Sequence, residues 1–166
     1  MRLIDAILVE LDQESAITRR ILERVANDRL RWKPHDRSMS LGELASHLAT
    51  LPGDIAAVAS ADAYDVESMR PPQLPATNAE ILRSLDQQLE AAKVLLEKMD
   101  DAFLLEQWRL TKGGREIMTM PRLALIRSIL LNHLYHHRGQ LSVYLRMLNI
   151  PVPSIYGPSA DESPWA

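Results

Sequence analysis

Residues 132–140 read Asn132-His133-Leu134-Tyr135-His136-His137-Arg138-Gly139-Gln140. On a helix, at about 100° per residue, His133 and His137 fall about 40° apart, one turn above the other. Ile126, Leu130, Leu141, Tyr144 and Leu148 share that face. The pair therefore points among apolar side chains. His136 is turned by about 100° from His137 and belongs at the boundary or surface.

Outward from this stretch, the same rhythm predicts a helix over 121–148. Pro121 suits its first turn, where a missing amide costs nothing, and Pro151 stops it. The tail, 151–166, holds four prolines and should be extended. On the other side, Trp108-Arg109-Leu110, Lys112-Gly113-Gly114 and Arg115-Glu116-Ile117-Met118 read as a short hairpin around a glycine turn, leaning on the helices. Thr77-Asn78-Ala79-Glu80 is a capping box opening a helix over 77–98, striped by Ile81, Leu85, Leu89, Ala92 and Leu96. Residues 61–76, with Pro71, Pro72 and Pro75, read as a connection. Ser40-Leu41-Gly42-Glu43 is another capping box and opens a helix over 40–60, with a kink or break expected at Pro52. The first helix should span 2–30, on Leu3, Ile7, Leu11, Ile17, Ile21, Leu22 and Val25. The chain of 166 residues suits one domain, 1–166. Four amphipathic helices predict an all-α four-helix bundle, with a short β-hairpin before the last helix.

His47 lies on the second helix among Leu44, Leu48 and Leu51 and faces inward as well. One inward histidine is ordinarily a hydrogen-bonded core residue. A His-x-x-x-His pair with a third inward histidine on another helix is different. Three buried imidazoles without a shared partner are costly, and one ion satisfies all three. Bundle cores build metal sites from facing helices in this way. The expectation is one divalent transition metal on His47, His133 and His137. Zinc and nickel fit best, with manganese, iron or cobalt as further candidates. Three protein nitrogens leave a position open, the pattern of a catalytic rather than a structural site. No carboxylate sits at helical spacing beside His133 or His137, and no catalytic residue is legible. Asn132 or Gln140 could orient the imidazoles. The remaining side chains have plainer readings. His35 is a loop histidine, Trp32 and Trp108 are core and cap, and Met118, Met120 and Met147 are packing. Glu23, Arg24, Asp28, Arg29 and Arg31 form a solvated helix face.

Composition excludes several classes. Against 22 acidic residues stand 19 Lys and Arg, a net charge of −3, which argues against a nucleic-acid surface. There is no cysteine, hence no disulfide, thiolate site or thiol nucleophile. The beginning, Met1-Arg2-Leu3-Ile4-Asp5, lacks the apolar run of a signal peptide, and no stretch is long enough to span a membrane. A cytoplasmic location is expected.

Several segments together resemble the DinB/YfiT-like superfamily of bacterial metal-binding four-helix bundles, in its DinB or damage-inducible branch. They are Trp32-Lys33-Pro34-His35, Ser38-Met39-Ser40-Leu41-Gly42-Glu43-Leu44-Ala45-Ser46-His47, Asn132 through Arg146, and the tail Ile150 through Glu162. The most specific part is His47 with His133-x-x-x-His137 and Arg138-Gly139-Gln140. The resemblance implies an up-down-down-up bundle with a long connection, His47, His133 and His137 as metal ligands, and a homodimer. Several relatives are transferases or isomerases that use a low-molecular-weight thiol such as bacillithiol, mycothiol or glutathione. A metal-dependent thiol S-transferase, with small-molecule partners, is the enzyme reading. A non-catalytic metal-binding stress-response protein and a metal-dependent hydrolase are the alternatives.

Overall fold

The structure is a computed structural model and describes residues 1–165. Four long helices carry the core: α1 (Leu3–Leu22), α2 (Leu41–Ser60), α3 (Asn78–Leu96) and a last, composite helix. A short α4 (Asp101–Leu105) precedes the hairpin, and the composite then runs without a break through α5 (Arg122–Leu125), a π-helical stretch (Ile126–Leu131) and α6 (Asn132–Met147). Three strands, β1 (Ala63–Asp65), β2 (Gln107–Lys112) and β3 (Arg115–Pro121), form one sheet in the order β1-β2-β3. Among the described residues no helix is long and apolar enough to cross a membrane.

Contacts between helix ends fix the directions. The Leu3 amide donates to Asp101 Oδ1 at 2.8 Å, and the Asn78 amide donates to Asn27 Oδ1 at 2.6 Å. The start of α1 therefore meets the end of α3, and the two run antiparallel. Gly53 packs against Gln88, and the β1 residues that follow α2 pair in parallel with β2, which lies beyond the end of α3. Helices α2 and α3 therefore run parallel, which is why residues 61–77 must travel the length of the bundle. Arg122 Nε donates to the Ala59 carbonyl at 3.1 Å, and Tyr144 Oη donates to the Met39 carbonyl at 3.3 Å. The last helix therefore runs antiparallel to α2. The result is the up-down-down-up bundle that the resemblance implied.

Local chemistry explains most boundaries. Ser40 Oγ accepts from the Glu43 amide at 3.2 Å, and Glu43 Oε2 accepts from the Ser40 amide at 2.6 Å, so the capping box closes on α2. Such a cap contributes about 1 kcal/mol. Thr77 caps α3 through the Glu80 amide. Gly113 and Gly114 both take positive φ, 56° and 77°, the backbone that a tight two-residue hairpin turn demands.

The structure departs from several of these expectations. The first helix stops at Leu22 rather than near residue 30. The Arg24 and Val25 amides bond three residues back, to Ile21 and Leu22, and Ala26 turns extended. Val25 and Leu30 stay buried, so the apolar rhythm continued after the helix had ended. Helix α2 does not break at Pro52, which is buried inside it. Tertiary packing on both sides outweighs the lost ladder bond. The connection 61–76 contains β1, held by Asp65, whose Oδ2 accepts from Thr111 Oγ1 at 3.0 Å and from the Gly114 amide at 2.9 Å. The hairpin is thus two strands of a three-stranded sheet, with a bulge between Leu110 and Thr111. The tail, expected to be extended, is instead irregular and folds back on the bundle. Asp161 accepts from Arg146 and the Val152 amide, and Glu162 accepts from Arg24 and the Ser154 amide. The tail's final residue, Ala166, falls outside the described residues.

The sheet docks through two side chains. Trp108 is buried and donates Nε1–H to the Val58 carbonyl at 3.1 Å. Arg122 is fully buried at the bundle end, and its guanidinium stacks 3.9 Å from the Phe103 ring centroid. It donates to the Ala59 and Ala61 carbonyls and to the carboxylates of Asp62 and Glu106. Trp32 packs against the core and meets Tyr144 edge-on at 5.5 Å. Of the methionines expected to pack, Met120 does, while Met118 and Met147 are exposed.

Candidate metal centre

His47 lies in the second turn of α2, and His133 and His137 lie in the first two turns of α6. Because α2 and the last helix are antiparallel neighbours, these positions come to one level of the bundle. Ring centroids are 4.6 Å apart for His47 and His137, 5.3 Å for His47 and His133, and 4.4 Å for His133 and His137. One ring nitrogen from each lies within 4.8 Å of the other two. His137 is buried, and His47 and His133 are half-buried. The structure thus brings together all three residues selected from the sequence. His136 is exposed with its ring 4.9 Å from that of His137, and it stands outside the trio. His35 is exposed in the loop before α2, where its Nδ1 accepts from the Arg37 amide.

The electrostatics suit an ion. Burial lowers the pKa of His47 to about 4, and the neighbouring His137 and His133 add to the shift. Burial also lowers that of His133, with a contribution from His136, while a hydrogen bond to the Ile129 carbonyl pulls the other way. Burial is again the main cause at His137, opposed by a hydrogen bond with Gln140 and reinforced by His133 and His136. All three rings are therefore neutral near pH 7, the form that binds a metal. His133 Nε2 and His137 Nε2 face each other at 2.6 Å. Two nitrogens on one tetrahedral zinc at about 2.0–2.1 Å stand roughly 3.3 Å apart. The rings need part by well under 1 Å to admit an ion, so the donor set fits one.

These shifts carry a pH consequence. Unfolded histidines take up protons near pH 6.5, whereas the folded trio does so lower, about 4 for His47. The unfolded state then binds more protons in that window, so the metal-free fold loses stability as pH falls through it. The urea midpoint of metal-free protein should drop between pH 7.5 and 5.5, above the carboxylate range. A midpoint that is flat or rises over that interval contradicts the burial of the three rings.

Around the trio, His137 Nδ1 donates to Gln140 Oε1 at 2.7 Å. Gln140 is thus the orienting residue, while the other candidate, Asn132, is exposed. The π-helical stretch ends at Leu131, two residues before His133, and the Asn132 amide bonds five residues back, to the Arg127 carbonyl. Such bulges recur at functional sites.

The sequence reading missed a second buried cluster on the far side of α6. Arg138 is buried, with Nη2 2.6 Å from Glu14 Oε2 and Nη1 donating to the Glu14 carbonyl at 3.2 Å. Tyr156, from the tail, donates its hydroxyl to Glu14 Oε2 at 2.8 Å and accepts from Arg138. The signal was present. Glu14 and Thr18 fall on the apolar stripe of α1, seven residues after Ile7 and Leu11, and both are buried. Of the charges read as a solvated face, Arg24 instead takes the tail's Glu162.

Comparison with known proteins completes the picture. The model of the DinB family matches residues 4–165. The chain belongs to the DinB family. The uncharacterized protein YrdA of Bacillus subtilis (strain 168) is 27% identical, over 98% of this chain and 92% of its own length. The crystal structure of a DinB-like protein from Bacillus cereus ATCC 10987 superposes with a TM-score of 0.72 at 20% identity, covering 92% of this chain and 97% of the other. The DinB-like YjoA of Bacillus subtilis gives 0.66 at 21% identity, covering 89% and 95%. These likenesses establish the fold. The DinB trio is set by this chain's own geometry.

Proposed function

We propose that this DinB protein binds one divalent transition metal, zinc or nickel foremost, through His47, His133 and His137. The observation that carries the reading is the donor set: three imidazole nitrogens within 4.8 Å of one another, with no carboxylate in the group and no cysteine in the chain. Three neutral ligands leave the ion's charge undiminished and a coordination position open. When bound, the metal would supply Lewis acidity, lowering the pKa of a thiol or water that enters that position. The chain's own part is to hold three neutral rings at one point, with Gln140 fixing His137 and apolar neighbours excluding bulk water. Because the protein has no thiol, a low-molecular-weight thiol would arrive as cosubstrate, and transfer of its sulfur to an electrophile is the enzyme reading.

A second reading has an observation in its favour. The ligands come from two helices, His47 from α2 and His133 and His137 from α6. An ion shared across that seam would staple α2 to α6. Zinc-loaded and nickel-loaded protein, assayed with bacillithiol, mycothiol and glutathione against several electrophiles, separates the two. Metal-dependent conjugation that vanishes on chelation supports the transferase. Stoichiometric metal with no conjugation in any pairing assigns the stapling role.

A further inference from the structure

We infer that Gln140 is the positioning residue of this centre, committing His137 to take the metal through Nε2. The inference rests on the metal-binding reading above and adds which atoms bind and what holds them.

Imidazole has two nitrogens, and either can ligate a metal. Which one does is decided by the partner of the other. Gln140 Oε1 lies 2.7 Å from His137 Nδ1. An amide oxygen can only accept, so the Nδ1 proton is held there and the lone pair is left on Nε2. That Nε2 points at His133 Nε2, 2.6 Å away, and not toward solvent. Gln140 is exposed, so burial does not fix its conformation, and the bond to His137 is the contact that does. The Nε2 atoms of both α6 ligands therefore face one point.

Gln140 is exposed and can be altered without touching the core. Gln140→Leu removes the acceptor, and Gln140→Glu restores it with a negative charge that makes the imidazole a stronger donor. Zinc is the probe, titrated against a chromogenic chelator, with histidine tautomers read by nitrogen NMR on labelled protein before and after loading. Parent protein should show His137 with protonated Nδ1 and zinc on Nε2. Gln140→Leu should bind zinc about 10–100-fold more weakly, and Gln140→Glu at least as tightly as the parent, with the thermal midpoint of metal-free protein unchanged in both. Loss of affinity in Leu with recovery in Glu is not expected of a residue that only packs. Zinc on Nδ1 of His137, or a Gln140→Leu affinity within twofold of the parent, overturns the inference while leaving the metal reading intact. A parent chain that takes up no zinc overturns the metal reading itself.

Discussion

Replacing any one of His47, His133 or His137 with alanine should cost at least a hundredfold in zinc affinity, while His136→Ala should bind as the parent does. A structural zinc site with four protein ligands is worth about 10–16 kcal/mol at pH 7, so each ligand accounts for roughly 3 kcal/mol, which is more than a hundredfold. This site has three nitrogens within 4.8 Å of one another, and two scattered imidazoles would not hold an ion at micromolar concentration. His136 is the internal control. It is the immediate neighbour of His137, and its ring is 4.9 Å away, yet it is exposed and turned off the shared face. Competition titration on untagged variants reads the difference. Equal losses for His136→Ala and His137→Ala would show that the helix-face argument fails.

The second large effect lies away from the metal. Glu14→Ala should destabilise the fold by about 3–5 kcal/mol, because it strands Arg138 as a buried, uncompensated charge. The side chains are only 11% and 2% exposed, respectively, so water cannot easily replace the lost carboxylate. The double variant Glu14→Leu, Arg138→Met should recover most of that loss, since two apolar groups ask for no partner. Glu14→Ala should also release the tail, whose Tyr156 hydroxyl would lose its acceptor. Urea unfolding gives the energies, and amide exchange over residues 151–162 gives the tail. A Glu14→Ala variant within 1 kcal/mol of the parent would mean that the pair is better hydrated than its burial implies.

The contrast between these two sites explains what the sequence could convey. The histidine trio was legible because helical periodicity is rigid: positions 133 and 137 share a face in any helix, and His47 sat on an apolar stripe of its own. The capping box at Ser40 and the Thr77 cap were legible because both partners lie within one turn, although the Glu80 carboxylate reaches the Ala76 amide instead of closing a box on Thr77. Glu14 sits on the apolar stripe of α1, which marks it for burial, but Arg138 is 124 residues away and nothing local names it as the partner. Arg122 is similar: its partners Asp62 and Glu106 come from segments that meet only through the fold. Strand β1 is three residues long, too short to show a period, and it exists because β2 is beside it. The π-helical register before His133 leaves no mark in residue type. Pro52 was read by its local cost alone, and the packing on both sides of α2 proved larger.

The most direct test of the central claim is X-ray absorption at the zinc edge on untagged, zinc-loaded protein at one equivalent. The account predicts three imidazole nitrogens at about 2.0–2.1 Å with one further light-atom position, and a spectrum that changes when a small thiol is added. Fewer than two imidazole scatterers, or uptake of less than a tenth of an equivalent, would contradict it.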